Sequence, residues 1–434
     1  DRYDKPGDYY LMESEIKNLT LLAERFKRVV LLLNIGGVID LKPIDSIPGI
    51  GAVLYISQSG NQIGNITADL LLGKVSPSGK VSTTWAQNYE DYPCAKEFSY
   101  VNGNWNDEYY REGVFVGYRY FDKFNITPRY CFGYGTGYST FSIDNIRCEA
   151  DHKYITVKAT VKNTGSKYNG KEVVQVYVSA PNGHLPKPFQ VLVGFGKSKT
   201  LEPGQTDEVT VQCPIHYCAS YCEEHSRWIL EEGTYIVRVG NSSRSTSVAA
   251  KIELDKLVVL EQLQKVITSD KFDEISLDNA KSYQPPNEAA QLQNAKVIKI
   301  SASSFTTKTA QYPDNVKLED KHKDHKITMQ EVIAGKYTLE ELVAQLTVKE
   351  MASMAVGKVS DEIDSAVGQA CALVPGAAGE TSSILKERGV ENLILADGPA
   401  GVRLTPHFRS DANGKLRKGG EIWGDFTAEF EPFQ

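Results

Sequence analysis

Five consecutive apolar residues, Val29–Leu33, follow a helical stretch, whereas beyond about Phe141 the apolar positions alternate with polar ones. These are two different packing solutions. A continuous apolar run suits a strand covered on both faces, as in a parallel sheet wrapped by helices. Strict alternation suits a strand with one face in a core and the other in water. One chain with both patterns must fold as more than one domain.

In the first region, Ile16, Leu19, Leu22, Ala23 and Phe26 recur at helical spacing between Glu13 and about Lys27. The strand Val29–Leu33 follows, then a second strand at Ala52–Ser57 and a helix at Gly64–Leu72. The expected product is part of an α/β sandwich over residues 1–140, its first half preceding Asp1. Residues 141–255 predict a β-sandwich of immunoglobulin or fibronectin type III character. Strands are expected at Tyr154–Val161, Val173–Val178, Thr206–Gln212 and Gly233–Gly240, with turns at Asn163-Thr-Gly165 and Pro203-Gly204.

Residues 256–335 are polar and aperiodic, and are expected to form a linker with one helix at Leu257–Thr268. Thr338-Leu-Glu-Glu341 and Thr347-Val-Lys-Glu350 are successive capping boxes, each opening an apolar-striped helix. The apolar run Leu393-Ile-Leu-Ala396 then predicts a short buried strand leading into Asp397-Gly-Pro-Ala-Gly-Val-Arg403. A carboxylate and a guanidinium at the C-terminal end of such a strand occupy the place where β/α folds bind ligands. Residues 336–434 are therefore expected to begin a (β/α)8 barrel, and are too few to complete one. The predicted fold class is α/β multidomain.

The net charge of −7 over 434 residues argues against nucleic acid or an anionic membrane as the main partner. No apolar run approaches the length of a membrane span. With no initiator Met at Asp1, the natural start is expected upstream, so the missing signal peptide says nothing about secretion; the compartment stays open, with the cytoplasm favoured. Seven irregularly spaced cysteines predict reduced, mostly buried thiols. Cys213, His216, Cys218 and Cys222 lack the knuckle spacing of a zinc site. Gly49-Ile-Gly51 and Gly133-Tyr-Gly135 make no nucleotide loop, so no cofactor is expected. A homo-oligomer is left open.

Several motifs resemble glycoside hydrolase family 3, the β-glucosidases and their relatives. LTVKEMASMAVG (346–357), VPGAAGET (374–381) and LILADGPAGVR (393–403) are similar to segments that open the family's catalytic barrel. VVLLLNIGGVIDL (29–41), SGNQIGNITADLLLGKVSPSGKVSTTW (59–85) and YREGVFVGYRYFD (110–122) are similar to segments that close its α/β sandwich. VKNTGSKYNGKEVVQVYV (161–178), PKPFQVLVGF (186–195) and LEPG (201–204) resemble its fibronectin-like domain. Where the family commonly reads F-G-Y-G-L-S-Y-T, this chain has Phe132-Gly-Tyr-Gly-Thr-Gly-Tyr-Ser139. The usual order of barrel first is reversed here, as in a minority of the family.

The resemblance implies retaining hydrolysis of terminal β-D-glucosyl residues from a β-glucoside or oligosaccharide, a reaction needing two carboxyl groups about 5–5.5 Å apart. In the family the nucleophilic Asp lies late in the barrel. The acid/base Glu of many members precedes an Asp-Arg pair that Asp1-Arg2 resembles. Both catalytic carboxylates are thus expected outside this segment, which alone would be inactive. Asp397 would accept hydrogen bonds from sugar hydroxyls at the −1 subsite, with Arg403 supporting it; the alternative is that Asp397 only caps a turn before Gly398-Pro399. Glu112 is expected to pair with Arg111 or Arg119. Glu380 could face the site, and Trp85 and Trp105 could stack on a sugar or pack between domains. β-Xylosidase or N-acetylglucosaminidase specificity is an alternative. So is a non-catalytic scaffold or carbohydrate-binding role for the fibronectin-like part, whose strands show no obvious row of exposed aromatics.

Overall fold

The computed structural model describes residues 3–97, 102–104, 107–265, 272–311, 318–357, 374, 377–396 and 402. The chain divides into two units, Asp1–Gln311 and Tyr312–Gln434.

The first unit opens with α1 (Glu13–Arg25), β1 (Val29–Leu33), α2 (Lys42–Asp45), β2 (Ile50–Tyr55) and α3 (Ile63–Leu71). Strands β1 and β2 pair in parallel, Leu31 opposite Val53 and Leu33 opposite Tyr55. The core here is small: Leu33, Ile39, Leu41, Ile44 and Trp85. A loop-rich stretch then leads to α4 (Tyr118–Lys123).

Next come β3 (Phe141–Ala150), β4 (Tyr154–Asn163), β5 (Val173–Ser179), β6 (Val191–Lys197), β7 (Thr206–Pro214), β8 (Ser220–Cys222), β9 (Arg227–Leu230), β10 (Gly233–Ser242), β11 (Ser245–Leu254) and β12 (Val258–Gln262). The four expected sandwich strands are present as β4, β5, β7 and β10. In β4 the alternation does what it predicts: Ile155, Val157, Ala159 and Val161 are buried between polar neighbours. All seven residues of β5 are buried. Val174, Val176 and Val178 enter the sandwich core. On the opposite face, Tyr177 lies 6.0 Å ring to ring from Tyr118 of α4, and Gln175 donates to the Gly133 carbonyl. The α/β part thus covers the outer face of β5, which explains a continuous apolar strand inside an alternating domain.

The stretch expected to be a linker is built into the sandwich. Residues 258–262 form β12, a strand paired antiparallel with β9, where a helix at 257–268 was expected; residues 266–271 lie outside those described. After α5 (Glu288–Asn294), β13 (Lys296–Ile300) joins the edge of β11 in parallel, and β14 (Lys308–Thr309) joins β12. Val258 and Ile300 are core residues of the sandwich. The resulting sheets run β3-β4-β7, β13-β11-β10-β5-β6 and β14-β12-β9-β8. Polarity hid this: Glu261 and Gln262 in β12, and Lys296 and Lys299 in β13, leave both strands half-polar.

The second unit contains α6 (Met329–Ile333), α7 (Leu339–Ala344), α8 (Val348–Val356), β15 (Gly379–Glu380) and β16 (Ile394–Leu395). Both expected capping boxes hold: Thr338 and Thr347 accept from the Glu341 and Glu350 amides, each at 3.2 Å. Thr328 and Glu331 make a third, opening α6 inside the expected linker.

Candidate functional site

The strand leading to the Asp397 motif is held by a small polar scaffold within the second unit. His322 Nε2 lies 2.9 Å from Glu341, and His325 Nε2 lies 3.0 Å from Glu331. These two glutamates are also the capping residues of α7 and α6. Backbone amides at Thr338 and Thr328 hold both carboxyls below the usual carboxylate range, and the histidines add to this. Both imidazoles pack against Tyr337, with ring centroids 4.9 and 5.5 Å away. The buried Arg388 guanidinium donates to the Ile327 carbonyl at 3.1 Å and to Gln345 Oε1 at 2.9 Å.

On this scaffold β15 and β16 pair antiparallel, Glu380 opposite Ile394. Beyond the pair, the Thr381 amide donates to the Leu393 carbonyl, and the Leu393 amide donates to Thr381 Oγ1 at 2.7 Å. Glu380 is buried and accepts from Asn392 Nδ2 at 3.1 Å. The run Leu393–Ala396, expected to be buried, is a two-residue strand with Leu393, Ile394 and Leu395 exposed. Among the described residues its only ladder partners are the two on β15. Asp397 and Arg403 themselves lie outside the described residues.

The remaining candidates fall to structural roles. Glu112 partners the Cys94 thiol rather than Arg111, whose Nε reaches Glu97 at 2.8 Å. Burial first, and the Glu112 charge second, push the Cys94 thiol up to about 11, away from nucleophilic use. Trp85 is buried against Tyr55 and Tyr130, at 5.7 and 5.9 Å, so it is core and stacks on no sugar. Trp105, Asp1, Arg2 and Cys371 lie outside the described residues. The other six cysteines are free thiols, and among the described residues no three His, Cys, Asp or Glu converge as metal ligands. Cys213 and Cys218 are buried, and Cys222 meets His225 at 3.4 Å.

One charged cluster was missed from sequence. Asp122 of α4 is buried, 2.7 Å from Arg244 Nε, and accepts from Gln190 Nε2 at 3.0 Å. Arg244 stacks over the Tyr283 ring at 3.9 Å and donates to the Phe121 and Ile126 carbonyls. Burial raises the Asp122 carboxyl to about 6, against the pull of Arg244 and Gln190. The cluster ties the aromatic loop, the β10–β11 hairpin and residue 283 together. An acid within the aromatic run Tyr118-Arg-Tyr-Phe-Asp122 was the available signal.

Comparison with known proteins gives these pieces a family. Residues 1–118 match the Glycosyl hydrolase family 3 C-terminal domain, and residues 172–243 match a Fibronectin type III-like domain. The chain is 34% identical to beta-glucosidase A of Butyrivibrio fibrisolvens over 435 residues, covering 92% of this chain and 50% of that protein. It therefore spans about half the length of this curated relative. The crystal structure of a β-glucosidase from Paenibacillus barengoltzii matches 93% of this chain and 44% of its own, at 31% identity and a TM-score of 0.68. Beta-glucosidase 3B of Thermotoga neapolitana, solved with α-D-glucose, matches 60% of this chain and 36% of its own, at 36% identity and a TM-score of 0.55. With both domain matches in one chain, and likeness to β-glucosidases running through nearly all of it, this chain belongs to glycoside hydrolase family 3.

Proposed function

We propose that this chain is part of a retaining β-glucosidase that removes terminal β-D-glucosyl residues, with its nucleophile and acid/base outside residues 1–434. The observation carrying this reading is the extent of the match to beta-glucosidase A: 34% identity continues across 92% of the chain, well beyond the two matched domains. Residues 336–434 then begin the (β/α)8 barrel, residues 1–140 end the α/β sandwich, and 141–255 with the strands that follow form the fibronectin-like domain. The reversed order accounts for why some relatives align over nearly the whole chain and others over 60% of it.

In this reading Asp397 and Arg403 form the sugar-holding end of the site. An ionised carboxylate accepts charge-assisted bonds from two neighbouring hydroxyls, and a nearby guanidinium keeps it charged and oriented. The partner is a β-glucoside or a short oligosaccharide. The test is release of p-nitrophenol from its β-glucoside, β-xyloside and N-acetyl-β-glucosaminide by the longer gene product and by residues 1–434 alone. The longer product is expected to prefer the glucoside, and the 434-residue chain to release none. Preference for the xyloside, or turnover by the short chain, would overturn the corresponding part of the assignment.

A further inference from the structure

An open groove of about 1260 Å³ runs along the fibronectin-like domain, walled by β6 and β7 on one side and by residues 216–228 on the other. Three features make it a built site. Its floor depends on two glycines: a Cβ at Gly194 would lie 2.6 Å from Cys213 Sγ, and one at Gly196 2.8 Å from Val209 Cγ1. This close approach of β6 to β7 leaves Phe195, between the glycines, 69% exposed in the groove.

Its wall is locked by a buried ion pair. Glu231 takes the Lys187 ammonium and, at 2.6 Å, the His184 amide, fixing the loop that borders the groove. Glu231 is held below the usual carboxylate range because these donors outweigh its burial.

The third feature is a rank of rings. Trp228 stands between His216 and Tyr221, centroids 5.5 and 5.3 Å away, and Tyr217 projects beside them, 59% exposed. The expectation that this domain carries no exposed aromatic row is thereby corrected. The rings come from β6, a single turn and a cross-strand pair, so no row exists in the sequence. Glu223 and Glu224 border the same face, with Thr210 and Gln212 along the floor.

From this arrangement we infer that the groove binds a neutral β-glucan oligosaccharide. Ring faces cover the C–H faces of pyranose rings, while carboxylate, amide and hydroxyl groups match equatorial hydroxyls. The volume exceeds what a single drug-sized ligand fills, which suits a chain of several sugars. The choice of a glucan rests on the β-glucosidase reading; the groove itself does not.

The experiment is calorimetric titration of the 434-residue chain with cellotetraose and with laminaritetraose, followed also by tryptophan fluorescence. Binding at millimolar concentration or tighter is expected, weakened about tenfold or more in Trp228→Ala and Tyr221→Ala. Tyr217→Ala, at an exposed turn where folding is not at stake, is expected to weaken it too. Phe26→Ala, an equally exposed ring just after α1, is expected to leave it unchanged. No binding of either sugar, binding indifferent to both Trp228→Ala and Tyr217→Ala, or occupancy by a basic proline-rich peptide in place of sugar would overturn the inference. Glucoside turnover by the longer product separates the two readings. Turnover without oligosaccharide binding here removes only the groove, and binding without turnover removes only the glucosidase.

Discussion

The fibronectin-like sandwich and the α/β part before it use equally apolar strands to opposite effect. Strand β5 is buried along its whole length, whereas Val30 and Leu32 of β1 and Val53 and Tyr55 of β2 are exposed. Leu21 and Leu22 of α1, and Phe26 just after it, are exposed as well. The difference lies in what surrounds each strand. β5 has a paired neighbour on each side, a core beneath it and α4 with its flanking loop above it. Among the described residues, β1 and β2 have only each other as ladder partners. An apolar run therefore records what a strand is suited to bury against, and the surrounding elements decide whether that burial is realised.

The strongest way to sharpen this contrast is to test whether residues 283–300 belong to the sandwich. Glu288 pairs with Arg238, the largest fully buried side chain among the described residues, which also donates to Ser179 and lies over the Phe189 ring at 4.7 Å. Removing one partner of a buried pair leaves an uncompensated charge, so Glu288→Ala is expected to cost about 4 kcal/mol in urea unfolding. A loss too small to measure would return this stretch to the status of a linker.

The contrast breaks if core and exposed apolar positions respond alike. Ile155→Ala in β4 is expected to cost about 3 kcal/mol through lost burial and a residual cavity. Leu32→Ala in β1 is expected to cost under about 1 kcal/mol, because little burial is lost. Equal losses, or equal amide-exchange protection of β1 and β5, would contradict the account.

The seam between the two regions gives a pH test. The Asp122 carboxyl is raised to about 6 in the folded protein from an ordinary value of 3.8. The folded state holds this proton where the unfolded state has lost it. Its contribution is present below about pH 4 and lost as pH rises towards 6, by about 3 kcal/mol. Thermal unfolding across that window, compared with Asp122→Asn, should show the wild type losing ground to the variant as pH rises. A difference that stays flat would place the ionised form in the fold.

The smallest effect is in the second unit. Thr338→Ala removes a cap of α7 and is expected to cost about 1 kcal/mol in stability, read from the melting temperature. No change would mean that the cap and the His322–Glu341 pair on the same carboxylate substitute for each other.

Much of the architecture was readable from periodicity and capping chemistry. β1 was placed to the residue, and α1, α3, β4, β5, β7 and β10 to within a few. The misreadings share a cause. β12 ends in Glu261-Gln262 and was read as part of a helix, β13 is a sheet-edge strand carrying Lys296 and Lys299 and was read as a loop, and Thr328-Met-Gln-Glu331 carried a capping signal that polar surroundings obscured. The Asp122 cluster is assembled from segments far apart in the chain, and the groove's rings fall at irregular spacing between residues 195 and 228, so no local pattern announces either. Glu112 shows the limit of pairing by adjacency: Arg111 was its nearest cation in sequence, and the fold gave Arg111 to Glu97.

The measurement that bears most directly on the function is kcat/KM for p-nitrophenyl β-glucoside in the longer gene product, with and without Asp397→Asn. If Asp397 holds the hydroxyls of the terminal sugar, the substitution lowers kcat/KM by at least about a hundredfold, since charge-assisted bonds that strengthen in the transition state are lost. Unchanged turnover would reduce Asp397 to a turn residue and contradict the proposed sugar site.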